Sequence, residues 1–415
     1  MKYLRYAALF LFVFAASAYA GEWQYSGHAK LLLNHAQYQA DDRTAVLAGQ
    51  NDLTDINTNL RFNLQGQWQS WDLNIHYQLA GMSGDSTGLL VANNPLGGAS
   101  TAIDEGNLFY LSSVISDDGY HRWLHRLDRL NVGYSADDWI IRFGRQAISW
   151  GNGINFNPLD IFNPFSPLSL DTEYKNGDDL FYMQWMLSNQ TDLQLIYLPR
   201  RDTDSGELSN SLDSLALKMH IMSQSGDWDL LVASHYDDTV YGLTYVRNVS
   251  GAVWRNDINL TRLANGRDTW FVDSNMDYSW SAFGRNFYGY IEWFHNSLGQ
   301  SIVDISSVDP ALMERITRGE LYSLVNNIFS IGMMMEMNPR WNANLSMLYA
   351  PGDKGHFANL RFNYDWKQNA SMIMGISLPG GARGSEYGGV YYPDGADSGY
   401  VGAATQVYFY MQYYY

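Results

Sequence analysis

In WDLNIHYQL, residues 71–79, Trp71, Leu73, Ile75, Tyr77 and Leu79 fall on one side of an extended chain, and Asp72, Asn74, His76 and Gln78 fall on the other. A period of two is the repeat of a β-strand, whose successive side chains point to opposite faces. The repeat returns in Leu60, Phe62, Leu64 and Trp68 against Arg61, Asn63, Gln65 and Gln67, and in Trp341, Ala343, Leu345, Met347 and Tyr349 against Asn342, Asn344 and Ser346. It returns again in Ala358, Leu360, Phe362, Tyr364 and Trp366 against Asn359, Arg361, Asn363 and Asp365. Such segments run for about 10 to 16 residues, longer than the roughly 5 or 6 usual in a soluble sheet and enough to cross a bilayer at a tilt.

Alternation by itself also suits a soluble sandwich, so strand length and the placement of aromatic rings decide. Aromatic residues make up 15% of the chain, with 30 Tyr and 14 Trp. Trp68, Trp71, Trp139, Trp228, Trp341 and Trp366 stand near strand ends, where a ring with an apolar body and a polar edge suits a membrane–water interface. After the N-terminal leader no stretch is long and apolar enough for a transmembrane helix. In lipid only a closed sheet satisfies every strand hydrogen bond. The expected fold class is therefore all-β, a transmembrane antiparallel β-barrel. The candidate strands number about 18, with 16 as the lower bound, an even count that puts both termini on one side. Tight turns such as Gln69-Ser70 and Asn338-Pro339-Arg340 alternate with long connections near 81–120, 149–176, 297–322 and 380–399. This is the asymmetry of short periplasmic turns and longer external loops. The region 104–116 fits either a strand partner or part of an extended loop.

Residues 1–20 read as a secretory signal peptide: Met1, Lys2 and Arg5 are followed by an apolar run over residues 7–16 and by the cleavage pattern Ala18-Tyr19-Ala20. The barrel is then expected over residues 21–415. The absence of cysteine excludes disulfides and thiolate metal sites. The formal net charge is −17, and loss of Lys2 and Arg5 with the leader makes the remainder more acidic. That balance excludes nucleic acid as a partner, because phosphate contacts need concentrated Lys and Arg.

The chain ends QVYFYMQYYY, in which Val407, Phe409, Met411, Tyr413 and Tyr415 form one apolar face closing on an aromatic residue. This resembles the C-terminal assembly signal of bacterial outer-membrane proteins, with Phe409, Tyr413 and Tyr415 as its carriers. The resemblance implies the barrel-assembly machinery as a partner and the bacterial outer membrane as the location.

One stretch breaks the alternation. RQAISWGNGINFNPLDIFNPFSP, residues 145–167, holds Pro158, Pro164 and Pro167 out of ten prolines in the chain. Proline fixes φ and lacks a donor, so Asn157-Pro158, Asn163-Pro164 and Ser166-Pro167 set extended turns and not ladder pairs. Gly151 and Gly153 permit tight backbone beside Trp150. Ile154, Phe156, Leu159, Ile161, Phe162 and Phe165 are too many apolar residues for a solvated loop, so the expected arrangement is a rigid segment packed inward. Residues 144–146, Ser149-Trp150-Gly151, Gly153, Phe156-Asn157-Pro158, Asp160 and Phe162-Asn163-Pro164 resemble a segment shared by porin-like outer-membrane barrels, a broad group that includes alginate-export-type channels. General porins fold a loop from this position into the lumen, which implies a constriction loop over 149–176. Its candidate residues are Arg142, Arg145, Trp150, Asn155, Asn157, Asp160 and Asn163, with Asp160 facing either a solute or one of the two arginines.

Alternation also assigns lumen charges, among them Arg61, Lys218, Arg255, Arg361, Asp72, Asp257 and Glu336, along with Asp192, Asp227, Asp229, Asp273, Asp277, Glu292 and Asp365. A mixed ring of charges orients polar solutes and disfavours apolar ones; the plainer reading is a satisfied polar interior. The external carboxylates Asp41, Asp42, Asp52, Asp202, Asp204 and Glu207 are either solvated or share divalent cations with lipopolysaccharide. No spacing supports a dedicated metal site or a cofactor.

HNSLGQS places His295 two residues before Ser297, with Gly299 following, and loosely resembles the His-x-Ser-Asn-Gly segment of outer-membrane phospholipases. Leu298 stands where that family has Asn, and no downstream Asn is evident to orient the histidine, which a nucleophilic serine needs. The expected function is thus a non-enzymatic, passive channel for small polar solutes or ions, with outer-membrane lipid and lipopolysaccharide around it and a homotrimer implied by general porins. The alternative is a plugged structural or partner-binding barrel serving an envelope export or redox complex. A lipid hydrolase is the third reading.

Overall fold

The structure, a computed structural model, describes residues 21–92, 104–393 and 398–415. The expected signal peptide lies outside the described residues. The strands, in chain order, are β1 (Glu22–Gln37), β2 (Asp52–Trp68), β3 (Trp71–Gly84), β4 (Ser112–Asp117), β5 (His121–Ser135), β6 (Trp139–Gln146) and β7 (Asp178–Ser188). They continue with β8 (Thr191–Leu198), β9 (Ser214–Ser223), β10 (Gly226–His235), β11 (Asp238–Val249), β12 (Ala252–Arg262), β13 (Asp268–Ala282) and β14 (Arg285–Asn296). The last are β15 (Asn327–Asn338), β16 (Trp341–Tyr349), β17 (His356–Lys367), β18 (Ala370–Gly380), β19 (Val390–Tyr392), β20 (Gly399–Val401) and β21 (Thr405–Tyr414).

All but β4, β19 and β20 form one closed antiparallel ring of 18 strands. Within it β3 pairs with β5, and β21 pairs with β1 from His28 opposite Tyr414 to Gln37 opposite Thr405. The ambiguous region 104–116 contributes β4, which pairs with the outer half of β5 where β6 has already left the wall. At one end the strands are joined by tight turns, and at the other mostly by long connections, the longest of them residues 85–120, 147–177, 297–326 and 381–404. An exception at the long-loop end is the turn Tyr236-Asp237 between β10 and β11, with both residues at positive φ.

The period of two sorts the two faces. On β2, Leu60 and Phe62 are 41% and 45% exposed, whereas Arg61 between them is 3% exposed. Leu31, Val232, Ile258, Ile331, Leu345 and Val407 likewise stand outward on their strands. A continuous apolar exterior of this kind requires an apolar solvent. At the outer ends of β7–β11 the inward face is apolar too: Leu180, Ile196, Leu198, Ala216, Leu231 and Ala233 are all buried. What covers them from the lumen side is the loop of residues 147–177.

The ring closes on its last residue. Tyr415 exchanges backbone hydrogen bonds with Gly27, and its hydroxyl donates to the Arg61 carbonyl at 2.8 Å, so one side chain spans β1 and ties β21 to β2. A Cβ at Gly27 would lie 2.4 Å from the Tyr415 hydroxyl and 2.2 Å from the Arg61 oxygen, so this crossing needs glycine there. Gly27→Ala is expected to destabilise the folded barrel by about 1–3 kcal/mol, the usual cost of overpacking, measured by urea unfolding in lipid followed by tryptophan fluorescence. Tyr415→Ala is expected to reduce the fraction of chain that reaches the heat-modifiable folded form, and full assembly of that variant would remove Tyr415 from the closing step.

Candidate functional site: a loop across the barrel lumen

Residues 147–177 leave β6, cross the interior to the opposite wall and return to β7 by way of β1. The outgoing limb is fixed first by Trp150, whose indole N–H donates to Gln194 Oε1 on β8 at 3.0 Å and whose ring meets Phe162 edge to face. At the far wall the Asn152 amide donates to Asp257 Oδ2 on β12 at 2.6 Å. The amides of Ile154 and Asn155 donate to Glu292 Oε1 on β14 at 2.8 and 2.9 Å. Asn155 Nδ2 adds a bond of 2.6 Å to Glu292 Oε2. Phe156 stacks on Phe294 with centroids 4.5 Å apart, a contact worth about 0.5–1.5 kcal/mol beyond its buried area. The apex turns tightly enough that a Cβ on Gly153 would lie 1.7 Å from the Phe156 carbonyl oxygen, so only glycine fits.

Prolines then expose carbonyls that other elements use: Asn259 on β12 donates to Pro158 at 2.7 Å, and the Tyr322 hydroxyl, from an external loop, donates to Pro164 at 2.9 Å. Asn163, at φ 53°, donates to Asp178 at 2.7 Å. Asn157 lines a cavity beside the loop. The neck is clasped by Lys175, which donates to Asp160 at 2.5 and 2.6 Å and to the Ile148 carbonyl. Burial pushes the Asp160 carboxyl up and the Lys175 ammonium down from their ordinary values, each against the pull of the other's charge.

Two sequence expectations are corrected here. Asp160 faces neither a solute nor an arginine, because Lys175, unnoticed in the sequence, arrives with the returning limb and takes it. Arg145 is not in the lumen. Phe143, two residues earlier, is 45% exposed on the outer face, and Arg145 shares that face. There it is 2% exposed, held by Asp179 at 2.8 Å and Asp104 at 2.8 Å and covered by the chain near Phe109. A strand residue two positions from an outward phenylalanine lies on the same face and cannot also point inward.

The remaining candidates divide into spent and available charges. Arg61 is buried against Asp128 at 2.6 Å, Arg255 pairs with Asp277 at 2.8 Å, and Glu336 accepts from Asn286 at 2.7 Å. Asp257, besides holding Asn152, accepts from Thr244 at 2.5 Å. By contrast, Arg142 and Lys218 line a cavity of about 520 Å³ with His76, Arg129, Trp150 and Gln194. Each has a carboxylate partner at longer range, Asp72 at 3.5 Å from Arg142 and Asp229 at 3.7 Å from Lys218, whereas Arg129 is engaged by Asp128 at 3.1 Å and by the Lys175 carbonyl. On the other side of the outgoing limb a cavity of about 410 Å³ is lined by Tyr290, Asn344, Asn359, Arg361 and Tyr408. Arg361 has no ion pair among the described residues, and its Nε is buried without an acceptor. No carboxylate lines either cavity.

Three of the external acidic residues serve local structure: Asp42 caps the helix Arg43–Ala48 through the Thr44 amide at 2.9 Å, Asp41 pairs with Arg383, and Asp202 holds Ser205. Among the described residues no cluster of His, Asp and Glu has the form of a metal site. His295 does have an orienting partner the sequence hid, Asn327 Oδ1 at 3.0 Å from its Nδ1. Its ring, however, stacks on Trp270 at 4.2 Å. The Ser297 hydroxyl bonds to Thr269 at 2.7 Å and to the Trp270 amide at 2.9 Å, with no bond to His295.

No family model matches the chain, and no curated protein is significantly similar to it in sequence. Solved structures match in fold. OccK9 (OpdG) of Pseudomonas aeruginosa superposes with a TM-score of 0.55 at 9% identity, covering 95% of this chain and 98% of that one. OccK2 (OpdF) of the same organism, solved in complex with glucuronate, gives 0.53 at 8% identity over 95% and 98%. OccAB4 of Acinetobacter baumannii gives 0.51 at 10% identity over 95% and 98%. The chain has the porin-like outer-membrane barrel fold that these proteins share.

Proposed function

We propose that the protein is a passive outer-membrane channel, narrowed by the loop of residues 147–177, that favours small anionic polar solutes. The observation that carries this reading is the pair of cavities beside the loop, whose lining includes Arg142, Lys218 and the unpaired Arg361 and no carboxylate, the partners Asp72 and Asp229 being 3.5 and 3.7 Å from the first two. Low-dielectric walls focus the field of such cations on the passage. The net charge of −17 does not oppose this, because the interior carboxylates Asp257, Glu292 and Asp160 are engaged in holding the loop. Arg361 beside Asn344, Asn359 and three tyrosines suits a carboxylate carried on a hydroxylated body, the chemistry of the glucuronate that OccK2 (OpdF) holds. Cavities of a few hundred Å³ suit single small solutes and not a polyuronate chain.

The constriction residues in this reading are Arg142, Trp150, Asn155 and Asn157, with Asp160 and Asn163 setting the loop's shape. Outer-membrane lipid covers the apolar exterior, lipopolysaccharide meets the external rim, and the C-terminal strand with Phe409, Tyr413 and Tyr415 is the part offered to the barrel-assembly machinery. A homotrimer is an expectation drawn from general porins alone. The protein is read as non-enzymatic, since Ser297 is bonded away from His295. A fully plugged barrel is the less favoured reading, because Trp150, Phe156 and Phe162 pack on the wall and leave space on both sides of the loop.

In a planar bilayer with a salt gradient, the reversal potential is expected to show anion preference, and Arg142→Ala with Arg361→Ala is expected to reduce it severalfold; cation preference in the unaltered protein would sink the anionic reading. Removing residues 152–165 is expected to leave a folded barrel of severalfold higher conductance. A folded but silent unaltered protein would favour the plugged barrel.

A further inference from the structure

The two limbs of the loop are held by different chemistry. The outgoing limb is stacked, buried and bonded through its backbone. The returning limb, residues 168–174, is attached to the wall by charged and polar tips. Lys30, on the inward face of β1 and 3% exposed, places its ammonium 2.8 Å from Asp171 and 2.5 Å from Glu173. The Tyr410 hydroxyl donates to Asp171 and the Tyr414 hydroxyl to Glu173 at 2.8 Å. Asn63 donates to the Tyr174 hydroxyl at 3.1 Å, and the Arg61 guanidinium lies 3.9 Å from the Tyr174 ring centre. Burial opposes it, but the bonds from Lys30 and Tyr410 hold the Asp171 carboxyl below the ordinary carboxylate range.

Apolar packing does not secure this segment. Leu168 and Leu170 turn toward open space and line the cavity of about 410 Å³. Between the same limb and the wall of β1–β3 lies another space of about 420 Å³, bounded by Lys30, Asn57, Asn59, Met82, Leu170 and Tyr410. Residues 168–172 are thus a partition one chain thick between two cavities. Arg61, the nearest alternative cation, is already committed to Asp128, which leaves Lys30 as the ammonium shared by both limb carboxylates.

We propose that residues 168–174 are a movable strap and that Lys30 is the positioning residue that sets it. With its bonds to Asp171 and Glu173 made, the strap divides the lumen. With them broken, the strap leaves β1 and the two cavities join into one wider passage. Lys30 gives up Asp171 and Glu173 together when the strap leaves β1, so the two arrangements are discrete and the strap does not drift between them. The consequence for permeation rests on the channel reading; the strap itself does not.

The chain has no cysteine, so Leu170→Cys in the full-length refolded barrel carries a unique thiol whose reaction rate with a small charged methanethiosulfonate reports the strap directly. Lys30→Met, and separately the pair Asp171→Asn with Glu173→Gln, are expected to speed modification by about tenfold or more, as loss of both ion pairs of a buried ammonium implies. Lys30→Arg is expected to keep the slow rate. In the background without the thiol, the same disrupting substitutions are expected to raise conductance and the size limit for solutes. Heat-modifiable mobility establishes that each variant is folded, and the carboxylate pair carries the test should Lys30→Met fail to fold. Unchanged modification rates in folded variants overturn the strap. Faster modification in a barrel that never conducts would retain the strap and remove the channel.

Discussion

Everything in this molecule depends on the sheet having no edge. An apolar exterior places the strands in a solvent that cannot bond to a free N–H or C=O, so each strand must find both neighbours. The chain meets that demand at the seam between β1 and β21, where Tyr415 reaches across Gly27 to the backbone of β2. Closure then dictates the rest: with lipid outside, half of all side chains are forced into one shared interior, whatever their chemistry.

That interior holds many more carboxylates than its open surfaces reveal. Asp257 and Glu292 accept from backbone amides of the loop, whose proline-rich sequence cannot pair them in a ladder. Asp160 and Lys175 clasp its neck. Each charge so used is withdrawn from the open space of the lumen. The two cavities beside the outgoing limb are lined by arginines, a lysine, amides, tyrosines and apolar groups, with no carboxylate among them.

The loop also shows two kinds of attachment in one segment. Stacked rings and prolines make the outgoing limb rigid, since its contacts are lost only together. The returning limb is joined through side-chain tips, each able to exchange its partner for water, and empty volume lies on either side of it. Rigidity at one end and separable contacts at the other are what a constriction of adjustable width requires.

Much of this was legible in the residues. Strict alternation, as in WDLNIHYQL, specifies strands and the side each residue faces, because the pleat leaves no other choice. The inward loop was legible in its prolines and surplus of apolar residues, and the apolar inner faces of β7–β11, as at Ile196 and Leu198, are the matching signal on the wall. Nothing in the local pattern of β1 showed that Lys30 would meet Asp171, far along the chain. Arg145 was misread because the loop motif begins within β6, where strand parity still governs. Ion-pair partners depend on which strands and loops the closed ring brings opposite one another, and no local pattern encodes that. The sequence by itself determined a closed barrel, its two faces and a rigid inward loop, since these follow from periodicity and backbone chemistry. Only the tertiary structure decided which charges are consumed in holding the loop and which remain open to the lumen, because that outcome depends on distances across the barrel between residues far apart in the chain.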